Sequence, residues 1–137
     1  MVKKTDPKWL EAEKLVTMIE KAIDPNATVL HDQKLPVLEK YDLKKRRKPR
    51  QIDTLVVTGP SHRPTLTIIE VQKRNSRVEL NTFQGWLKKL EEVGAQHLVC
   101  VSHLPFPVSV RDLAEAESQK VKLIQLTEVP PDGIPPQ

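Results

Sequence analysis

Apolar residues recur at two different spacings along the chain, and the spacing separates helices from strands. At intervals of three and four residues they form one stripe over residues 7–23 and another over residues 80–93, so both segments are predicted to be amphipathic helices. A further helix is predicted over residues 108–118. Pro7 suits the first turn of the first helix, and Gly94 suits the end of the second.

Runs of β-branched and apolar residues predict five strands. The runs at residues 51–57 and 64–72 are separated by a turn that contains glycine and proline, so they are predicted to form an antiparallel hairpin. The continuous apolar run at residues 97–102 predicts a strand that is buried on both faces. The remaining two strands are predicted at residues 27–35 and 121–126.

The predicted order of elements is helix, three strands, helix, strand, helix, strand. This order is typical of an α/β fold with a mixed central sheet and helices on both faces. A length of 137 residues suits one domain, predicted to cover residues 1–128. From residue 129 onward the chain is rich in proline and is predicted to be a flexible tail outside the sheet.

Composition favours a soluble, cytoplasmic protein without a membrane partner. Hydrophobic residues make up 38% and charged residues 29%, and no apolar run is long enough to cross a bilayer. The first residues form a charged amphipathic segment, which is unlike a secretory signal. Cys100 is the single cysteine, so an internal disulfide and a multi-cysteine zinc site are excluded, and it is interpreted as a small buried hydrophobe.

Basic residues are concentrated in two clusters, although the net charge is only +4. Six of the seven residues at 44–50 are basic, and a second group follows at 73–77. Such clusters are typical of phosphate contacts, although a solvated loop is the alternative for either. The residues predicted to bind nucleic acid are Lys44, Lys45, Arg46, Arg47, Lys48, Arg50, Lys73, Arg74 and Arg77.

Two acidic residues occupy unusual places on the predicted hairpin. Asp53 lies inside a hydrophobic strand, and Glu70 ends an apolar run on the partner strand. A carboxylate there needs a compensating partner, and a divalent cation is the common functional one. Because side chains alternate along a strand, Glu70 and Gln72 share a face while Val71 points away and offers its carbonyl oxygen. The alternative is a pair of acids exposed on an edge strand.

The segments Arg50-Gln51-Ile52-Asp53 and Ile68-Ile69-Glu70-Val71-Gln72 resemble the core of the PD-(D/E)xK nucleases, above all the Mrr-like restriction endonucleases and the Holliday-junction resolvases. The likeness extends over about residues 9–126. It implies a restriction-endonuclease-like three-layer sandwich and an endonuclease acting on DNA. Asp53, Glu70 and the Val71 carbonyl would hold Mg²⁺, for which Mn²⁺ can substitute. Glu13 would be a further catalytic acid on the first helix, with Glu20 as the competing candidate.

Gln72 departs from the family, which usually carries a lysine at this position. A glutamine can hold a water by hydrogen bonds, but it supplies no positive charge and takes up no proton. Three hypotheses therefore stay open. The first is a metal-dependent nuclease in which Gln72 positions the attacking water. The second is a catalytically silent domain that serves as a nucleic-acid-binding or scaffold subunit, and the third is a protein-interaction domain with an acidic partner. By analogy with relatives, a homodimer or a larger complex is expected.

Overall fold

The computed structural model describes residues 14–18, 20–22, 24–42, 44, 47–72 and 76–126. Within these residues five strands form one sheet in the order β1-β2-β3-β4-β5. β2 runs antiparallel to both of its neighbours, β1 and β3, whereas β3, β4 and β5 run parallel to one another. The predicted α/β class with a mixed sheet is therefore confirmed. The strands are β1 (Thr28–Leu35), β2 (Arg50–Thr58), β3 (Thr65–Val71), β4 (His97–Ser102) and β5 (Val121–Gln125).

Helices connect the parallel strands and also precede the sheet. The first, α1, includes the helical residues 14–18 and 20–22. The second, α2, spans Leu80–Val93 and links β3 to β4, and the third, α3, spans Val108–Ala116 and links β4 to β5. The bounds of α2 and β4 are those predicted, whereas α3 ends two residues earlier. The loop before β2, predicted to be irregular, contains a short 3-10 helix at Glu39–Tyr41.

Two apolar cores cover the two faces of the sheet. On one face, Phe83 of α2 and Val110 of α3 pack against Ile68 of β3. On the other, Val16 of α1 packs with Ile69 of β3. Ile68 and Ile69 are both fully buried on opposite faces, as the period-two alternation of a strand requires. This alternation places the Glu70 side chain on the same face as Ile68, which is the face that α2 covers.

Gly94 ends α2 in the predicted way. Its φ of 72° lies in the left-handed region, where a residue without a Cβ is favoured. The Ala95 N–H donates to the Leu90 carbonyl at 3.1 Å, which satisfies one of the last carbonyls of the helix. A Cβ on Gly94 would lie 3.1 Å from Leu38 Cδ1, so the loop before β2 packs closely on this turn. The chain can thus turn sharply from α2 into β4.

In the part of the chain that the structure describes, no helix is long and apolar enough to span a bilayer. The proline-rich tail predicted from residue 129 lies outside the described residues. The division into one domain and a tail therefore stays a prediction.

Candidate functional site

Asp53 and Glu70 face each other across β2 and β3. The register of the two strands ends at the pair Thr54 and Ile69, which are the sequence neighbours of Asp53 and Glu70. The Asp53 N–H donates to Glu70 Oε2 at 3.3 Å, and the Val71 N–H donates to Asp53 Oδ2 at 3.1 Å. Asp53 is 6% exposed and Glu70 is 1% exposed. Two buried carboxylates thus converge near the start of β2 and the end of β3.

The main chain of the hairpin supports this pair directly. Each carboxylate accepts a backbone N–H from the opposite strand, and a charge-assisted hydrogen bond of this kind partly replaces the lost water. The bonds also fix the orientation of both side chains. Asp53 and Glu70 are therefore held in one arrangement by the sheet itself.

Lys89 of α2 forms an ion pair with Glu70 Oε1. Its side chain is 15% exposed, so the ammonium group reaches down from the helix to a nearly fully buried carboxylate. Lys89 is not among the site residues predicted from the sequence. The available signal was its position next to Leu90, at the border of the apolar stripe of α2. A long side chain at such a border can extend its charged end toward the sheet on which the helix packs.

The pKa of Glu70 is raised from its ordinary value of 4.5 to about 7, first by burial and then by the negative charge of Asp53, while Lys89 acts in the opposite direction. The cost of removing the carboxylate from water therefore outweighs the attraction of the lysine. A carboxyl group that changes its charge near neutral pH is typical of a functional site.

The stability of the metal-free protein is expected to fall as the pH rises from about 4.5 to about 7. In this range the folded protein keeps the Glu70 proton that the unfolded chain has already lost, so each increase in pH favours the unfolded chain. Thermal unfolding in EDTA should show a melting temperature several degrees lower at pH 7.5 than at pH 5. Glu70→Gln should lack this component, whereas Glu91→Gln, at an exposed position of α2, should keep it. Parallel curves for the wild type and Glu70→Gln would contradict the expectation.

Val71 and Gln72 diverge beyond the end of β3. The Val71 side chain lies in the core on the face opposite Glu70, as the alternation predicts. Gln72 follows the last residue of the strand, and its N–H donates to the Val101 carbonyl at 2.8 Å. Its side-chain amide donates to the carbonyl of Ser76 at 3.4 Å and to that of Arg77 at 3.3 Å. That amide nitrogen is thus directed at the following loop, and the role of Gln72 in holding a water stays a prediction.

Two of the predicted phosphate-contact residues have an internal partner. Arg47 and Arg50 both form ion pairs with Glu92 of α2, whose side chain is 2% exposed. The Glu92 carbonyl also accepts the Leu38 N–H at 2.8 Å. Arg47 and Arg50 are therefore anchored to the end of α2, where they neutralise a buried acid.

The other predicted site residues either are at least partly exposed or lie outside the described residues. Lys44 and Lys48 are exposed. Arg77 is also exposed, and its Nε donates to the Pro105 carbonyl at 3.3 Å. Glu20 on α1 is partly buried. Their roles stay predictions. The candidates that lie outside the described residues are Glu13, Lys45, Arg46, Lys73 and Arg74.

Cys100 lies next to Glu70 in the register between β3 and β4 and is fully buried. Burial, and after it the charge of Glu70, raises the pKa of the thiol. The thiol therefore stays protonated at neutral pH, where only a thiolate would be nucleophilic. This agrees with the interpretation of Cys100 as a small buried hydrophobe.

Carboxylate oxygens are ligands that hard divalent cations prefer. Within the described ranges, no group of three or more His, Cys, Asp or Glu side chains is arranged to hold a metal ion. A cation at Asp53 and Glu70 would therefore take further ligands from main-chain carbonyls and water. Mg²⁺ keeps several waters and commonly binds through one or two carboxylates, so the donor set suits it.

The comparisons with known proteins bear on the fold. No protein-family model matches the sequence, and no curated protein matches it. One solved structure does resemble it. The crystal structure of AF1548, a protein of unknown function, has a TM-score of 0.55 and 8% sequence identity. The match covers 82% of this chain and 56% of that chain, so this chain spans little more than half of its length. At this identity the likeness shows a shared fold and nothing about activity.

Proposed function

We propose that the chain is a metal-dependent nuclease that hydrolyses phosphodiester bonds in DNA, with a restriction-endonuclease-like three-layer arrangement of its helices and sheet. The observation that carries the proposal is the convergence of Asp53 and Glu70, two buried carboxylates on adjacent strands, of which Glu70 accepts the Asp53 N–H and Asp53 accepts the Val71 N–H. The order of strands and helices around them fits the same fold.

A purely structural role accounts poorly for this pair. Burying a charged group is costly, and a buried ion pair is often no more stabilising than apolar residues of similar size. Asp53 raises the pKa of Glu70, so the two carboxyl groups repel each other. A divalent cation bound between them would turn this repulsion into attraction, which gives a functional reason for the arrangement.

In the proposed mechanism, Asp53, Glu70 and the Val71 carbonyl would hold Mg²⁺. When bound, the ion lowers the pKa of a coordinated water and stabilises the charge on the phosphate. The protein's own part is to keep both carboxylates in place through the backbone of β2 and β3. The Gln72 amide oxygen would accept a hydrogen bond from the attacking water.

The flanking phosphates would be bound by exposed basic side chains, without base recognition. Among the described residues, Lys44, Lys48 and Arg77 are available for this contact. Arg47 and Arg50 would contribute mainly by anchoring the segment that carries Lys48, because both contact Glu92.

A cleavage assay tests the proposal directly. Linear duplex, branched and single-stranded DNA, together with RNA, would be incubated with Mg²⁺ or Mn²⁺ and, separately, with EDTA. Cleavage is expected with a metal only. Asp53→Asn keeps an oxygen that can accept the Val71 N–H but lacks the negative charge, so it should bind the substrate without cutting it. Cleavage by Asp53→Asn at the wild-type rate would exclude the mechanism.

A catalytically silent nucleic-acid-binding subunit is the second candidate, and the contacts of Gln72 favour it. The side-chain amide of Gln72 is engaged with the loop at Ser76 and Arg77, and it has no charge. Gln72→Lys separates the two candidates. If this variant gains magnesium-dependent nicking while the wild type has none, the native chain is the silent form. If the wild type already cleaves, the second candidate is excluded.

A further inference from the structure

The Glu70 carboxylate is held by two different groups, one on each oxygen. Oε2 accepts the Asp53 N–H, and Oε1 accepts the ammonium group of Lys89. A metal ion that binds Glu70 must therefore compete with a contact that the folded chain already makes. Lys89 occupies a place at which a bound cation would interact with the carboxylate.

We propose that Lys89 is a further functional residue of this site, which holds Glu70 in the metal-free protein and passes to the phosphodiester group of the substrate when a divalent cation binds. This inference rests on the proposed function, because it assumes a metal at Asp53 and Glu70.

The exchange follows from the charges that surround Glu70. A divalent cation and the Lys89 ammonium would be two positive charges at one carboxylate, and they repel each other strongly in a buried site. The divalent ion attracts the carboxylate more strongly, so the lysine is the group that leaves. A phosphodiester brings one negative charge into the same place, and the displaced ammonium group gains a new partner there.

Lys89 is able to make this movement. Its side chain is 15% exposed and that of Glu70 is 2% exposed, so the lysine lies nearer the surface than the carboxylate it contacts. A lysine has a flexible four-carbon stem that can turn without a shift of the helix. Lys89 would also supply the positive charge that Gln72 lacks, since the Gln72 amide is neutral and contacts the loop.

A binding cycle tests the transfer without relying on catalysis. The affinity for a short DNA duplex would be measured with Ca²⁺, which binds oxygen ligands, and with EDTA, for the wild type and Lys89→Met. Lys89→Met should lose about tenfold in affinity with Ca²⁺, the size of one charge-assisted hydrogen bond, and little with EDTA. Lys88→Met, which removes an exposed neighbour on α2, is the control and should change both affinities equally.

A second measurement uses the wild type alone and does not depend on the folding of a variant. Reductive methylation followed by mass spectrometry reports how accessible each lysine is. Lys89 should react slowly in EDTA, faster with Ca²⁺, and slowly again when DNA is added to the Ca²⁺ form. The exposed Lys88 should react at one rate in EDTA and in Ca²⁺.

The outcomes separate the inference from the proposed function. If the wild type binds DNA equally well with and without Ca²⁺ and cuts nothing with Mg²⁺, the proposed function fails. If DNA binding by the wild type depends on the metal, but Lys89→Met shows the same dependence and the rate of Lys89 methylation is unchanged by Ca²⁺, only the role of Lys89 is refuted.

Discussion

Glu70→Gln is expected to stabilise the metal-free protein and at the same time to lower the rate of the proposed cleavage by a factor on the order of a hundred to a thousand. Both changes have one origin, because the charge that would bind the metal is also the charge whose burial is costly. The Glu70 pKa of about 7 means that ionising this carboxyl group costs more free energy in the folded protein than in the unfolded chain. A glutamine has no charge, yet its oxygen can still accept the Asp53 N–H.

The gain in stability should be about 1–3 kcal/mol at pH 8, as the raised pKa of Glu70 implies. Urea unfolding in EDTA at that pH measures it, and the rate of cleavage with Mg²⁺ is measured on the same preparation. Glu91→Gln is the matched control, since Glu91 is an exposed carboxylate of α2, and it should change neither quantity by much. A Glu70→Gln protein that is less stable than the wild type but fully active would argue against a functional role for this acid.

Glu92→Ala is expected to destabilise the protein by about 2–4 kcal/mol. Removing one partner of a buried ion pair costs about 3–5 kcal/mol when the other charge stays buried. Here the side chains of Arg47 and Arg50 are 38% and 27% exposed, so each guanidinium group regains part of its hydration. The loss of unfolding free energy should therefore be smaller than for a fully buried ion pair. Chemical denaturation of the wild type and the variant measures the difference.

The adjacent residue offers the control for this substitution as well. Glu91 is exposed, so Glu91→Ala removes a carboxylate from the same helical turn without breaking a buried contact. Its unfolding free energy should stay within about 0.5 kcal/mol of the wild type. If Glu92→Ala behaved like Glu91→Ala, the anchoring of the basic segment on α2 would contribute nothing to stability.

The elements of the fold that could be predicted are those with a clear period of apolar residues. The stripe that includes Phe83 and Leu90, closed by Gly94, gives the bounds of α2. The predicted hairpin of β2 and β3 also places Asp53 and Glu70 on adjacent strands, where the structure finds them in contact through main-chain N–H groups. These are local properties, and a single sequence contains them.

The contacts between distant elements could not be predicted in this way. A helical period tells which residues share a side of α2, but not which strand lies beneath them. The pairing of Lys89 with Glu70, and that of Glu92 with Arg50, depend on how α2 crosses the sheet. Gln72 shows a further limit. The strand ends at Val71, one residue earlier than predicted, so alternation no longer determines the direction of the Gln72 side chain.

The two ion pairs of α2 lie almost one helical turn apart, since Lys89 and Glu92 are separated by three residues. Their partners lie on neighbouring strands, Glu70 on β3 and Arg50 at the start of β2. Both contacts therefore oppose sliding of the helix along its own axis. The axial position of α2 is set by charge in addition to apolar packing.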